Sequence, residues 1–196
     1  MGLALLLIWG CLLMAQSPAD GFSSRLVDAA MERLDHDITY DGSYRQIGYP
    51  NGDVPEHIGV CTDLVIRAYR SLGVDLQQAV HEDMKADFSA YPGLWGLSAP
   101  DANIDHRRVP NLQVFFEHRG AALAESSTAE DYRPGDLVTW MLPGNLPHIG
   151  IVAAKRSPDG RRPLIVHNIG AGPALEDILF EFPITGHYRY HGPGRG

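Results

Sequence analysis

The chain has 196 residues, of which 44% are hydrophobic and 20% charged, a balance that suits one globular domain with a real core and excludes a chain disordered over most of its length. Its formal charge is −8, from 24 acidic against 16 basic side chains. No broad phosphate-neutralising face is available, which argues against general nucleic-acid binding.

The first segment reads as a leader. Leu3 to Ala15 is apolar and uncharged. Thirteen such residues fall short of the roughly 20 that span a bilayer and fit the apolar region of a secretory signal. Ser17 and Ala19 provide small residues for cleavage after Ala19, with Ala15 as a second position. Residues 1–19 are therefore expected to be a signal peptide and residues 20–196 a single domain exported across the inner membrane to the periplasm, with no membrane span left after cleavage. A lipid anchor on Cys11 is the lesser alternative, because Leu12, Leu13 and Met14 continue the apolar run past it. Without the leader, Cys61 is the one cysteine left of two, so no internal disulfide forms. A leftover thiol in an oxidising compartment points to a reactive group; the plainer alternative is a small buried hydrophobe.

Ser23 or Ser24 can cap a helix to about His36 with Leu26, Val27, Ala30, Met31 and Leu34 on one face. Residues 39–59, rich in Tyr, Gly, Pro and Asp, read as loop with short extended pieces and a turn at Asn51-Gly52. Cys61 opens a helical pattern closed by Gly73, and Asp75 caps another helix to about Ala90. A long loop over 91–109 carries Trp95, Asp105, His106, Arg107 and Arg108, and Pro110 starts a short helix ended by Gly120. Beyond Gly135-Asp136 the pattern turns to strands over 137–140, 149–152 and 164–166, with further strands expected at 178–182 and 185–190. Helices first and an antiparallel meander after them define an α+β fold.

Cys61 lies where a loop becomes a helix, so unpaired N–H groups and the helix dipole favour a thiolate there and can hold an oxyanion. If Ile149 and Ile151 face one side of a strand, His148 and Gly150 face the other. His167 ends the next strand, and a hairpin would bring the two histidines together, one against the thiol and the other orienting it. The other histidines read as packed or surface residues, with a reservation for His106 in its polar, aromatic loop. Asp63 close to the sulfur would raise the thiol pKa, so it is given no catalytic role.

The stretches Gly59-Val60-Cys61-Thr62-Asp63-Leu64-Val65, Arg133-Pro134-Gly135-Asp136-Leu137-Val138, His148-Ile149-Gly150-Ile151-Val152 and Val166-His167 resemble, in this order, the NlpC-type cell-wall cysteine peptidases. The resemblance implies a papain-like α+β fold, N-terminal helices on a C-terminal antiparallel sheet, with Cys61 as nucleophile, His148 as base and His167 as the residue that orients it. Tyr49 is placed as the tyrosine that precedes the nucleophile and helps to form the site. Almost the whole mature chain further resembles the bacterial DUF1287 family, through Tyr49-Pro50-Asn51-Gly52-Asp53-Val54-Pro55, residues 103–112, residues 144–150 and His167-Asn168-Ile169-Gly170-Ala171-Gly172. Val60-Cys61-Thr62-Asp63 departs from the usual Asp-Cys-Ser-Gly of the peptidases, and residues 75–109 look like an insertion.

The expected function is a secreted cysteine hydrolase that cleaves an amide bond, in peptidoglycan peptides first of all or in another amide-containing envelope molecule, with no cofactor and no metal. One alternative keeps the chemistry as an acyltransferase or an amidase with a non-wall substrate. Another is an inert glycan- or peptide-binding module in which Trp95, His106 and the run from Asp105 to Arg108 hold the ligand. A zinc hydrolase built on His148 and His167 is disfavoured, since His81-Glu82-Asp83 lacks the second histidine of an HExxH motif.

Overall fold

The computed structural model describes residues 18–194. The expected leader and Cys11 lie outside the described residues except for Pro18 and Ala19, which open the first helix. Among the described residues no helix is long and apolar enough to cross a membrane.

The elements follow in chain order. Helix α1 (Pro18–Glu32) starts before the serines expected to cap it and lays Phe22, Leu26 and Ala30 into the core. Strands β1 (Thr39–Tyr40) and β2 (Ile58–Gly59) pair in parallel and close the loop between them. Helix α2 (Cys61–Ser71) begins after extended Val60, whose N–H donates to Asp63 Oδ2 at 2.7 Å; this is the backward half of a capping box. It ends before Gly73, whose φ of 79° supplies the left-handed turn. Helix α3 (Leu76–Ala86) is capped by Asp75, which accepts from the Gln77 N–H at 3.0 Å. Helix α4 (Val109–His118) carries Pro110 in its first turn. Strands β3 (Ala122–Leu123), β4 (Leu137–Leu142), β5 (Leu146–Arg156), β6 (Pro163–Asn168), β7 (Pro173–Glu176) and β8 (Ile184–Tyr188) form a six-stranded sheet. Its order is β3-β8-β4-β5-β6-β7, and every neighbouring pair is antiparallel. The fold is α+β.

One strand expectation needs correcting. Residues 178–182 are not a strand but a turn segment that lays Ile178 and Leu179 on the sheet. The Trp140 indole N–H donates to the Leu179 carbonyl at 3.0 Å and pins it there. The edge strand is β7 instead, after the glycine-rich bend at 170–172.

The sheet carries an apolar cluster on each face. Ile149, Ile151 and Val166 meet the helices, together with Phe22, Leu26, Val65, Tyr69, Leu112, Phe115 and Phe116. Val138, Trp140, Val152 and Ile165 form the opposite cluster with Tyr132 and Leu179. Buried Asp136 ties β8 to the start of β4, accepting from His187 Nε2 at 2.8 Å and from Arg189 Nε and Nη2 at 2.7 and 2.8 Å. Burial works against its charge, but these donors hold its carboxyl below the usual range.

Alternation along β5 places His148 and Gly150 on the Trp140 side, away from the helices. Strands β5 and β6 are in register at Ile151↔Val166 and Val152↔Ile165. A Cβ on Gly150 would stand 2.6 Å from Ile165 Cγ2 and 3.1 Å from His167 Cβ. Only glycine lets β6 come this close beside the two histidines. We expect Gly150→Ala to cost about 1–3 kcal/mol by overpacking. Thermal unfolding should show a midpoint lowered by several degrees, and an unchanged midpoint would contradict the close approach.

Candidate active site

Four short segments converge on Cys61. The residue opens α2 and is only 4% exposed. Its sulfur is approached by the backbone N–H groups of Thr62 and Ile149 and by the hydroxyl of Tyr40. Ile149 follows His148 on β5, so the thiol abuts the strand that carries the histidine, whose ring lies on the Trp140 face of the sheet. Asn168, at the end of β6, turns its amide toward the Gly59 carbonyl at 3.5 Å, which sets β6 against the segment that leads into α2.

The histidines stand on the next strands. His148 Nε2 lies 3.0 Å from His167 Nδ1, with the rings nearly perpendicular. The other nitrogen of His167, Nε2, lies 2.9 Å from Glu176 Oε2 on β7. Both rings are buried, whereas the Glu176 side chain is half exposed. The result is a hydrogen-bonded chain from an open carboxylate through two buried imidazoles to the strand beside the thiol. Trp140 packs against the His148 ring at 6.0 Å between centroids.

A buried ion pair holds the start of α2. Arg107 Nε and Nη2 donate to the two oxygens of Asp63 at 2.8 and 2.9 Å. The same guanidinium donates to the carbonyls of Asp41 and Ser43, just after Tyr40, while Thr62 Oγ1 donates to the Arg107 carbonyl at 3.1 Å. The 3-10 turn Asp105–Arg107 thus locks the 75–109 segment to the residues on either side of the thiol.

Electrostatically the site is quiet. Burial pushes the Cys61 thiol up to about 11; the Ile149 N–H pulls against this and Asp63 adds to it. The helix dipole expected to favour a thiolate is outweighed, because an ion without water loses more than partial charges return. Burial, with a smaller push from neighbouring His167, lowers His148 to about 3. His167 is also lowered by burial, with Glu176 acting the other way. Burial holds the Tyr40 hydroxyl up at about 12, helped by the neighbouring thiol. At neutral pH the resting pair is a thiol and a neutral imidazole.

The sequence-derived substrate residues lie elsewhere. Tyr49 sets its ring edge-on to His81 at 5.0 Å. The tyrosine at the thiol is Tyr40, put there by the β1–β2 pairing of Tyr40 with Gly59. Trp95 lies under the Arg108 guanidinium at 3.9 Å and lines a cavity of about 30 Å³ with Tyr91, Asp105 and Asn111. His106 is buried with Nδ1 unpartnered and is lowered to about 3 by burial and by Arg107, so its ring offers no surface to a ligand. Asp105 and Arg107 are buried as well, which removes most of the charged run from any binding face. Glu176 had gone unnoticed in the sequence. Its one signal is a carboxylate on the strand after a glycine-rich turn that follows His167.

The class is therefore an α+β protein with a buried cysteine at a helix start and a hydrogen-bonded histidine pair on the neighbouring strands β5 and β6. The chain belongs to the family described as "Domain of unknown function (DUF1287)", whose model matches residues 27–190. It is 49% identical over 165 residues to the "Uncharacterized protein YijF" of Escherichia coli (strain K12), covering 84% of this chain and 80% of that protein. A solved structure of NlpC1 from Trichomonas vaginalis aligns over 90% of the chain with a TM-score of 0.48 and 17% identity. The chain spans 46% of that protein's length.

A thiol held near 11 is roughly 300-fold less ionised at pH 7 than a free cysteine titrating near 8.5. Alkylation of the native protein by iodoacetamide should be slower than that of the denatured chain by about this factor at pH 7, and should climb as the pH approaches 11. Equal rates for native and denatured protein at pH 7 would show that the thiol is not held neutral by burial.

Proposed function

We propose that this protein is a cysteine hydrolase of amide bonds, acting on peptides of the cell envelope. The observation that carries the reading is the chain Glu176–His167–His148, which ends on the strand whose next N–H reaches the Cys61 sulfur. A nucleophilic thiol needs a base within reach and a third group that orients the base.

Because the resting pair is neutral, proton transfer accompanies attack. His148 takes the thiol proton as Sγ bonds to the carbonyl carbon, and the carbonyl electron pair moves onto oxygen. The N–H groups at the start of α2 and the Tyr40 hydroxyl are the donors placed to receive that oxyanion. Collapse expels the amine, which takes the proton from His148, and leaves a thioester on Cys61. Water then attacks the thioester with His148 again as base, releasing the acid and restoring the thiol. For this transfer substrate binding has to bring the His148 ring, which rests against Trp140, into line with the thiol. Export of the chain, expected from its first 19 residues, directs the choice of substrate to envelope peptides, peptidoglycan first.

A second reading has an observation behind it: the raised thiol suits an inert module that binds such peptides without cleaving them. Peptidoglycan digests incubated with the mature protein separate the two. Cleavage should release new amino termini, and Cys61→Ala should abolish it while leaving the unfolding midpoint close to wild type. His148→Ala should lower the rate by about 10²–10⁴-fold. Binding of the digest without turnover would support the inert module, and turnover by Cys61→Ala would remove the nucleophile.

A further inference from the structure

We infer that Glu176 is a positioning residue that sets, through His167, which nitrogen of His148 carries the proton. The inference rests on the reading of His148 as the base and adds a residue that acts on it from two side chains away.

The argument is a count of donors and acceptors. An ionised carboxylate only accepts hydrogen bonds. The 2.9 Å contact between Glu176 Oε2 and His167 Nε2 therefore requires a proton on that nitrogen. A neutral imidazole carries one proton, so His167 Nδ1 is bare and accepts. The 3.0 Å contact to His148 Nε2 then requires the proton of His148 to sit on Nε2. Its Nδ1 is left unprotonated, and a base needs this free lone pair. A doubly protonated His167 would reverse the last step: its Nδ1–H would donate to His148 Nε2 and push the proton of a neutral His148 onto Nδ1. Burial of the His167 ring opposes that form.

The placement of Glu176 fits this part. Its side chain is 50% exposed and borders a cavity of about 430 Å³ with His167, Ile169, Ile178 and Phe182. The nearby Asp177 is engaged by Arg162 at 2.6 Å, which leaves Glu176 as the acceptor at the ring. Register explains how β7 delivers it: His167 lies opposite Ala174, and Glu176, two residues on, is on the same face.

Tautomers are read directly by long-range proton–nitrogen correlation spectra of the imidazole rings, because a bare ring nitrogen resonates far downfield of a protonated one. In the free protein at pH 7, His148 should show bare Nδ1 and protonated Nε2, and His167 should show the same pattern. Glu176→Gln, whose carbonyl can still accept, should keep both patterns and reduce amide hydrolysis by less than tenfold. Glu176→Lys offers only donors, so both rings should exchange tautomers and the rate should fall by about 10²-fold. The half-exposed position makes either variant compatible with folding, and thermal unfolding checks this. A His148 protonated on Nδ1 in the wild type, or a Glu176→Lys spectrum identical to wild type, overturns the inference. The expected spectra in a protein whose Cys61→Ala variant still hydrolyses its substrate would instead overturn the nucleophile and leave the relay standing.

Discussion

The site depends first on the ion pair between Arg107 and Asp63. Neither side chain reaches solvent to any extent, and together they tie the helix start at the thiol to the 41–43 segment. Asp63 caps the helix that begins with Cys61, and Arg107 ties that cap to the carbonyls after Tyr40. Removing one partner of a buried pair typically costs about 3–5 kcal/mol, because the other charge is left without water or counterion. A pair of apolar residues would fill the space more cheaply. What it would not do is orient three backbone segments at once, since only a guanidinium with its fork of donors reaches a carboxylate and two carbonyls together.

This pair also explains why 75–109 is more than a surface addition. Its polar run, Asp105-His106-Arg107, points inward. Arg107 braces the start of α2, Asp105 accepts from Arg108 and the Asp101 N–H, and His106 fills space as a neutral ring. The cost of burying these groups is visible in Asp105, which burial raises to about 6 against the pull of its hydrogen bonds. The segment thus behaves as the scaffold of the thiol, and its exposed parts, Leu94 and Trp95 among them, are the ones free to meet other molecules.

Much of this was legible in the sequence, and the parts that were not have physical reasons. Alternation about Ile149 and Ile151 separated His148 from the core, and the helix-opening position of Cys61 followed from the apolar spacing after it and the close at Gly73. The resemblance puts Tyr49 at the site, whereas the tyrosine at the thiol is Tyr40. A two-residue parallel bridge between β1 and β2 decides it, and no periodic pattern announces so short a pairing. The run at 178–182 looks like a strand because four of its five residues are apolar; Ile178 and Leu179 cover a sheet face instead of joining the ladder. Glu176 was hidden because its role is set by register across a glycine-rich bend. The run at 105–108 reads as part of a loop able to hold a ligand, and only long-range partners on α2 and the 41–43 loop make its burial possible.

The two faces of the sheet have a bearing on how the protein would fail. Cys61 belongs to the cluster between helices and sheet, whereas His148 rests on Trp140 in the cluster behind it. Thiol and imidazole are thus supported by separate bodies of packing that meet only along β5 and β6. Loosening of the smaller cluster, which Tyr132, the 178–182 turn and the Trp140–Leu179 hydrogen bond hold closed, shifts the ring and leaves the sulfur in place. Loss of alignment on warming then precedes loss of the fold, and chemical competence marks the integrity of the back of the sheet more sensitively than helical content does.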